Sequence, residues 1–155
     1  MTETRLEAGA PIPSFSGLDQ TGARRSSEEF TSSKLVIYFY PKAFTPGCTA
    51  ESCDFRDRYE HFEARGYTIL GVSPDTPEKL TEFKAEYELP FDLLSDPDHT
   101  IASAFGAWGE KKNYGKTYLG LIRSTFVIDA GAVESAYYNV RAKGHAERIA
   151  NSLDS

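Results

Sequence analysis

Residues 35–40 read Leu-Val-Ile-Tyr-Phe-Tyr, six apolar positions in a row, with Lys34 before them and Pro41 after. A run this short, β-branched and aromatic and bounded by a charge and a proline, reads as a buried strand. Pro41, Thr45, Pro46 and Gly47 then punctuate a turn. From Thr49 onward Cys53 follows at four residues, and Phe55, Tyr59 and Phe62 recur at four- and three-residue steps, the pattern of a helix. Cys48 therefore falls at the strand-to-helix turn, in or just before the first helical turn. Unpaired N–H groups and the positive end of the helix dipole favour an anion there, and for a cysteine that anion is the thiolate. Both cysteines of the chain lie in this stretch, so any thiol chemistry belongs here.

The remaining segments alternate. Residues 1–17 read as an N-terminal arm broken by Pro11, Pro13 and Gly17, with a short strand over 12–18 and a turn at Gln20-Thr21-Gly22 leading to another. Ser26 with Glu29 three residues on fits a capped single helical turn. The helix after Pro46 is expected to run to Ala64 and stop at Gly66. A strand follows over 67–72, then a helix opened by Thr76-Pro77 with Leu80, Phe83 and Tyr87 on one face. Phe91 to Leu94 fits a short strand, and Ser95-Asp96-Pro97 opens a helix to about Gly106. Residues 109–120 are polar and read as an irregular loop, long enough to be functional. Strands over 121–128 and 133–140 flank the hairpin signal Asp129-Ala130-Gly131, and a terminal helix covers 145–153. The expectation is an α/β fold with a mixed central sheet flanked by helices. At 155 residues, with no repeat or linker, a single domain over 1–155 is expected.

Charge and composition narrow the function. A formal net charge of −6 with scattered basic residues argues against nucleic acid, whose phosphates need a basic surface. No apolar run approaches a membrane span, and the N-terminal Met-Thr-Glu-Thr-Arg-Leu-Glu lacks the apolar core of a signal peptide. A cytoplasmic location is expected, where disulfides tend to be transient and catalytic. With His61, His99 and His145 isolated and no paired-cysteine or paired-histidine cluster, no metal site is expected. No phosphate-binding glycine motif supports a nucleotide cofactor.

In a regular helix, positions five apart are separated by about 7.5 Å along the axis and roughly 140° around it. The Cα atoms of Cys48 and Cys53 are then about 8–9 Å apart, beyond the roughly 7 Å reach of a disulfide. The two could bond only if the first helical turn unwinds. The alternative is that both are free, buried small hydrophobes. Position argues against it for Cys48, which follows Pro-Gly in a turn, while for Cys53 burial and chemistry remain compatible. Arg123 stands among Leu121, Ile122, Phe126 and Val127, where a guanidinium needs a partner or a function; a solvent-facing place on an alternating strand is the other reading. Arg56 reads as a helix-surface or ion-pair residue.

The ordered motifs resemble the peroxiredoxin family, and within it the bacterioferritin-comigratory, or Q-type, branch. They are Pro41-x-x-x-Thr45-x-x-Cys48, then Thr49-x-Glu51-x-Cys53-x-Phe55-Arg56-Asp57, Gly71-Val72-Ser73-Pro74-Asp75 and Leu94-Ser95-Asp96-Pro97. Trp108-Gly109-Glu110-Lys111-Lys112, Tyr114-Gly115-Lys116-Thr117 and Arg123-Ser124-Thr125-Phe126 continue the match, so it spans residues 6 to about 150. The resemblance implies a thioredoxin-like fold and a thiol-dependent peroxidase that reduces hydrogen peroxide and organic hydroperoxides without metal or organic cofactor, in antioxidant defence. It implies Cys48 as the attacking thiolate, Cys53 as the resolving thiol, Arg123 as the activating cation, Thr45 as a hydroxyl beside the reacting atoms and Pro41 as a shield of the thiolate. Turn or N-cap duty for Thr45, and strand termination for Pro41, are the alternatives those residues carry. Glu51 fits a first-turn acid complementing the helix dipole, with a place in the site network as a second role. Thioredoxin or a glutaredoxin-like protein is the implied reductant, and an intramolecular disulfide removes the need for a dimer, so a monomer is expected. A redox sensor that passes its disulfide to a partner, and a binding protein with incidental cysteines, are the competing classes; the five-residue spacing disfavours a general disulfide oxidoreductase.

Overall fold

The computed structural model describes residues 6–113, 115–142 and 144–153. Its organising strand is β3, Lys34–Phe39, which holds the apolar run. β3 pairs in parallel with β4, Tyr67–Ser73, and antiparallel with β8, Ser124–Asp129. β5, Asp92–Ser95, extends the parallel part beyond β4, and β1, Ser16–Asp19, with β2, Arg24–Ser26, adds an antiparallel edge. β9, Ala132–Tyr137, closes the other side, which gives a seven-stranded mixed sheet ordered β2-β1-β5-β4-β3-β8-β9.

The unbroken apolar run has a direct cause. Successive side chains of a strand alternate between faces, and both faces of this sheet are covered. Val36, Tyr38 and Tyr40 meet Cys48, Phe55 and Phe83 on one side. Leu35, Ile37 and Phe39 meet Phe15, Phe105 and Phe126 on the other. Burying an aliphatic or aromatic side chain of this kind stabilises the fold by about 1.5–3 kcal/mol. α1, Pro46–Asp57, α2, Tyr59–Ala64, and α3, Pro77–Glu86, cover the first face together with α5, His145–Ser152. The short α4, Thr100–Ala104, covers the second. Gly71 lets Tyr38 into the first layer, because a Cβ there would lie 2.9 Å from the Tyr38 ring and from Leu93.

Four boundaries differ from the sequence expectation. The helix expected over 46–64 is two helices: Arg58, at φ −109° and ψ 11°, leaves helical geometry, and the turn lets Phe62 pack on Phe55 at 5.8 Å. The helix expected from Ser95 onward starts later, with the Asp96 carboxylate accepting from the N–H groups of Ile101 and Ala102. The loop expected over 109–120 is a β-ribbon, β6, Trp108–Asn113, paired antiparallel with β7, Lys116–Leu121. Tyr114 of that stretch lies outside the described residues. The ribbon stands apart from the main sheet and leaves Tyr118 and Leu119 exposed, so no core imposes the alternation that marks a strand in sequence. Finally, the strand expected over 121–128 is broken. β7 stays with the ribbon, β8 joins the main sheet, and Arg123 occupies the crossing between them, its carbonyl accepting from Val140 N–H at 3.0 Å.

Candidate active site

Thr45 is the N-cap of α1, with Pro46 in the first helical turn, so Cys48 is the third residue of the helix. Helix N–H groups lack intrahelical partners at that position, and the dipole is positive there. Cys48 is fully buried, and both cysteines are free thiols. The preceding turn is held from a distance. Asp75 accepts from Ala43 N–H at 2.7 Å and from the Ser73 hydroxyl at 2.8 Å. This hold fixes Phe44 at φ +67°, a conformation costly for a bulky residue, while its ring packs on Phe83 at 5.1 Å.

Arg123 reaches Cys48 from the other side of the site. Its Nη2 donates to Cys48 Sγ at 3.3 Å and its Nη1 to Glu51 Oε1 at 2.5 Å. The guanidinium thus sets a positive charge directly against the sulfur. Gly47 leaves room for the approach, since a Cβ there would sit 3.3 Å from Arg123 Nη2 and push the guanidinium back by a few tenths of an ångström. Glu51 is fully buried one turn past Cys48, and burial pushes its carboxyl up to about 7 against the pull of Arg123. Burial works against the Arg123 charge, but Glu51 and Cys48 outweigh it and hold that guanidinium above its ordinary range.

The other predicted residues take distinct places. The Thr45 hydroxyl donates to the Lys42 carbonyl at 2.7 Å, which leaves its lone pairs free to accept. Pro41 ends the apolar run at a bend, half-buried and four residues before Thr45. Cys53 lies in the same helix as Cys48 and is half-buried. Burial pushes its thiol up, Arg56 pulls it down, and Asp57 and Asp54 raise it again. Sequence reasoning missed Asp75 as the holder of the turn, and it missed Lys111. Burial and the Arg123 charge push the Lys111 ammonium below its usual range while Cys48 pulls the other way, so it shares the field of the site. Its Nζ donates to the Leu121 carbonyl at 2.8 Å. The polar Glu-Lys-Lys run gave no sign of this, because only the ribbon's folding brings Lys111 back beside Arg123. Among the described residues, no three His, Cys, Asp or Glu side chains are grouped to hold a metal, and no helix is long and apolar enough to cross a membrane.

A buried thiol in the first turn of a helix, contacted by a guanidinium and followed by a second thiol in the same helix, defines a cysteine-based redox site. The comparisons specify the class. The AhpC/TSA family model matches residues 8–136. Peroxiredoxin Bcp of Escherichia coli is 42% identical over 149 residues, covering 96% of each chain. The bacterioferritin comigratory protein of Xanthomonas campestris superimposes with a TM-score of 0.88 at 35% identity, over 96% of this chain and 98% of that one. A PrxQ variant of Xylella fastidiosa gives 0.89 at 31% identity, over 97% of both chains. The chain belongs to the AhpC/TSA family, as a peroxiredoxin of the Bcp and PrxQ type with a thioredoxin-like fold. It is a thiol peroxidase, an enzyme that takes a hydroperoxide and a thiol reductant as its two substrates.

Proposed function

We propose that this single-domain chain reduces hydrogen peroxide and organic hydroperoxides through Cys48 and recycles through a Cys48–Cys53 disulfide. The observation that carries the reading is the Arg123 contact to Cys48 Sγ at 3.3 Å in the first turn of α1. Cys48 thiolate attacks one peroxide oxygen, an S–O bond forms and the O–O bond breaks, and the departing oxygen takes up a proton to leave as water or an alcohol. Arg123 stabilises the thiolate and the charge growing on that oxygen, Thr45 accepts from the peroxide O–H, and Pro41 shields the sulfur from water. The Xanthomonas campestris relative is described by its alkyl peroxide reduction activity, which supports organic hydroperoxides as substrates here.

Cys53 then attacks the Cys48 sulfenic acid, an S–S bond forms, and water leaves. Both thiols sit in α1, so its first turn unwinds for this step. Thioredoxin or a glutaredoxin-like dithiol protein reduces the disulfide, the chain works as a monomer, and the reducing cytoplasm is its compartment. The test is peroxide consumption by Cys48→Ser and Cys53→Ser with thioredoxin and its reductase. Cys48→Ser is expected to consume none. Cys53→Ser is expected to consume one equivalent and stop. Turnover retained by Cys48→Ser overturns the assignment, and sustained thioredoxin-coupled turnover by Cys53→Ser overturns the resolving role.

A further inference from the structure

The resolving step needs the Cys53 sulfur as a nucleophile, and a thiolate attacks where a thiol does not. Cys53 is far from a helix N-terminus and half-buried, so its surroundings must supply that charge state. Arg56 lies three residues on, which on a helix puts both side chains on one face a turn apart. Its guanidinium is pinned. Nη1 donates to the Tyr87 carbonyl at the C-terminal end of α3, 2.8 Å away, and Nε donates to Asp57 at 3.0 Å. The charged groups around Cys53 are Arg56, Asp54 and Asp57 from its own helix, and Glu88, just past α3, acts on Arg56. Burial, Asp57 and Asp54 all raise the Cys53 thiol, and Arg56 is the cation set against them.

We propose that Arg56 is a positioning residue for resolution: clamped on the end of α3, it keeps its positive charge at the Cys53 sulfur while the first turn of α1 unwinds and Cys48 arrives. The inference rests on Cys53 being the resolving thiol. The Cys53 thiolate attacks Cys48 Sγ, an S–S bond forms and the S–O bond of the sulfenic acid breaks. The departing hydroxide takes a proton equivalent to the one Cys53 gave up and leaves as water. The clamp has a purpose because the Cys53 half of α1 is the fixed half: the Ser52 hydroxyl bonds Tyr38 Oη at 2.8 Å and Phe55 is fully buried. A helix-capping duty for Arg56 on the Tyr87 carbonyl is compatible with the same contact, but capping alone leaves the sulfur's titration unchanged.

The experiment uses the Cys48→Ser protein, in which Cys53 is the remaining thiol, and follows its alkylation by iodoacetamide from pH 6 to pH 10.5. Adding Arg56→Gln is expected to raise the midpoint by about half a pH unit and slow alkylation at neutral pH about threefold, a modest shift because the site is partly solvated. Arg56→Lys, which keeps the charge, is expected to stay near the parent. Arg56→Met, which keeps the aliphatic stem, replaces the Gln variant if that variant loses its circular dichroism. One common midpoint for parent, Lys and neutral variants overturns the proposal, as does an equal rise in the Lys variant. No peroxide is involved, so failure here is separate from failure of the resolving role, which Cys53→Ser turnover reads.

Discussion

The two halves of α1 are held by different physics. The first turn is held by charge: Arg123 bridges Cys48 Sγ and Glu51, and the contact to sulfur is strong only while the sulfur is an anion. The second half is held by packing: Phe55 stacks on Tyr38 at 4.6 Å and meets the His145 ring edge-on at 6.3 Å, with the Ser52–Tyr38 hydrogen bond beside them. In the proposed cycle, oxidation of Cys48 to a neutral sulfenic acid weakens the Arg123 contact to sulfur, leaves the Arg123–Glu51 pair in place and does not touch the packing. On the proposed cycle this loosens the turn that carries Cys48, while the half that carries Cys53 keeps its packing.

Breaking the packed half carries the largest stability cost. Phe55→Ala is expected to destabilise the whole fold by about 3–5 kcal/mol, read by urea unfolding of the reduced protein. A loss below about 1 kcal/mol would mean that the second half is not the anchor. Breaking the charged half acts on rate instead. Arg123→Ala is expected to slow sulfenic acid formation about a hundredfold in single-turnover stopped flow.

Acid reaches the packed half through His145. That ring is buried, its Nε2 bonds the Thr125 hydroxyl at 2.8 Å, and its Nδ1 has no hydrogen-bond partner among the described residues. Burial, with Arg148 and Arg123 nearby, pushes the imidazole down to about 4. A histidine held below its unfolded value of about 6.5 keeps its full contribution above that pH and loses it as pH falls through 4. Stability is therefore expected to drop by roughly 2–3 kcal/mol between pH 6.5 and 4 on account of this group, and His145→Gln is expected to flatten that part of the curve in urea unfolding. The smallest change tests the fit of the charged half. Gly47→Ala sets a methyl 3.3 Å from Arg123 Nη2 and is expected to slow the peroxide step about tenfold with unfolding unchanged.

This asymmetry was only half legible in the sequence. β3 and the start of α1 stood out because a doubly buried strand and a Pro-Gly-Cys turn impose local residue choices. Arg123 stood out as a charge among apolar neighbours, although its place between two strands did not, since nothing in Leu-Ile-Arg-Ser marks where a chain changes sheets. Arg56 on the Tyr87 carbonyl, Asp75 on Ala43 N–H and Ser52 on Tyr38 bridge 31, 32 and 14 residues, and partners at such separations leave no periodic trace. The β6–β7 ribbon reads as a loop in sequence because most of β7 is open to solvent, with Tyr118 and Leu119 exposed, and so carries no alternating apolar face.

The most direct measurement is the intact mass of the reduced protein after one equivalent of hydrogen peroxide, with peptide mapping of any disulfide. The account predicts a rapid loss of two hydrogens mapped to a Cys48–Cys53 bond. No reaction, slow oxidation without a defined bond, or a disulfide between two chains would contradict it.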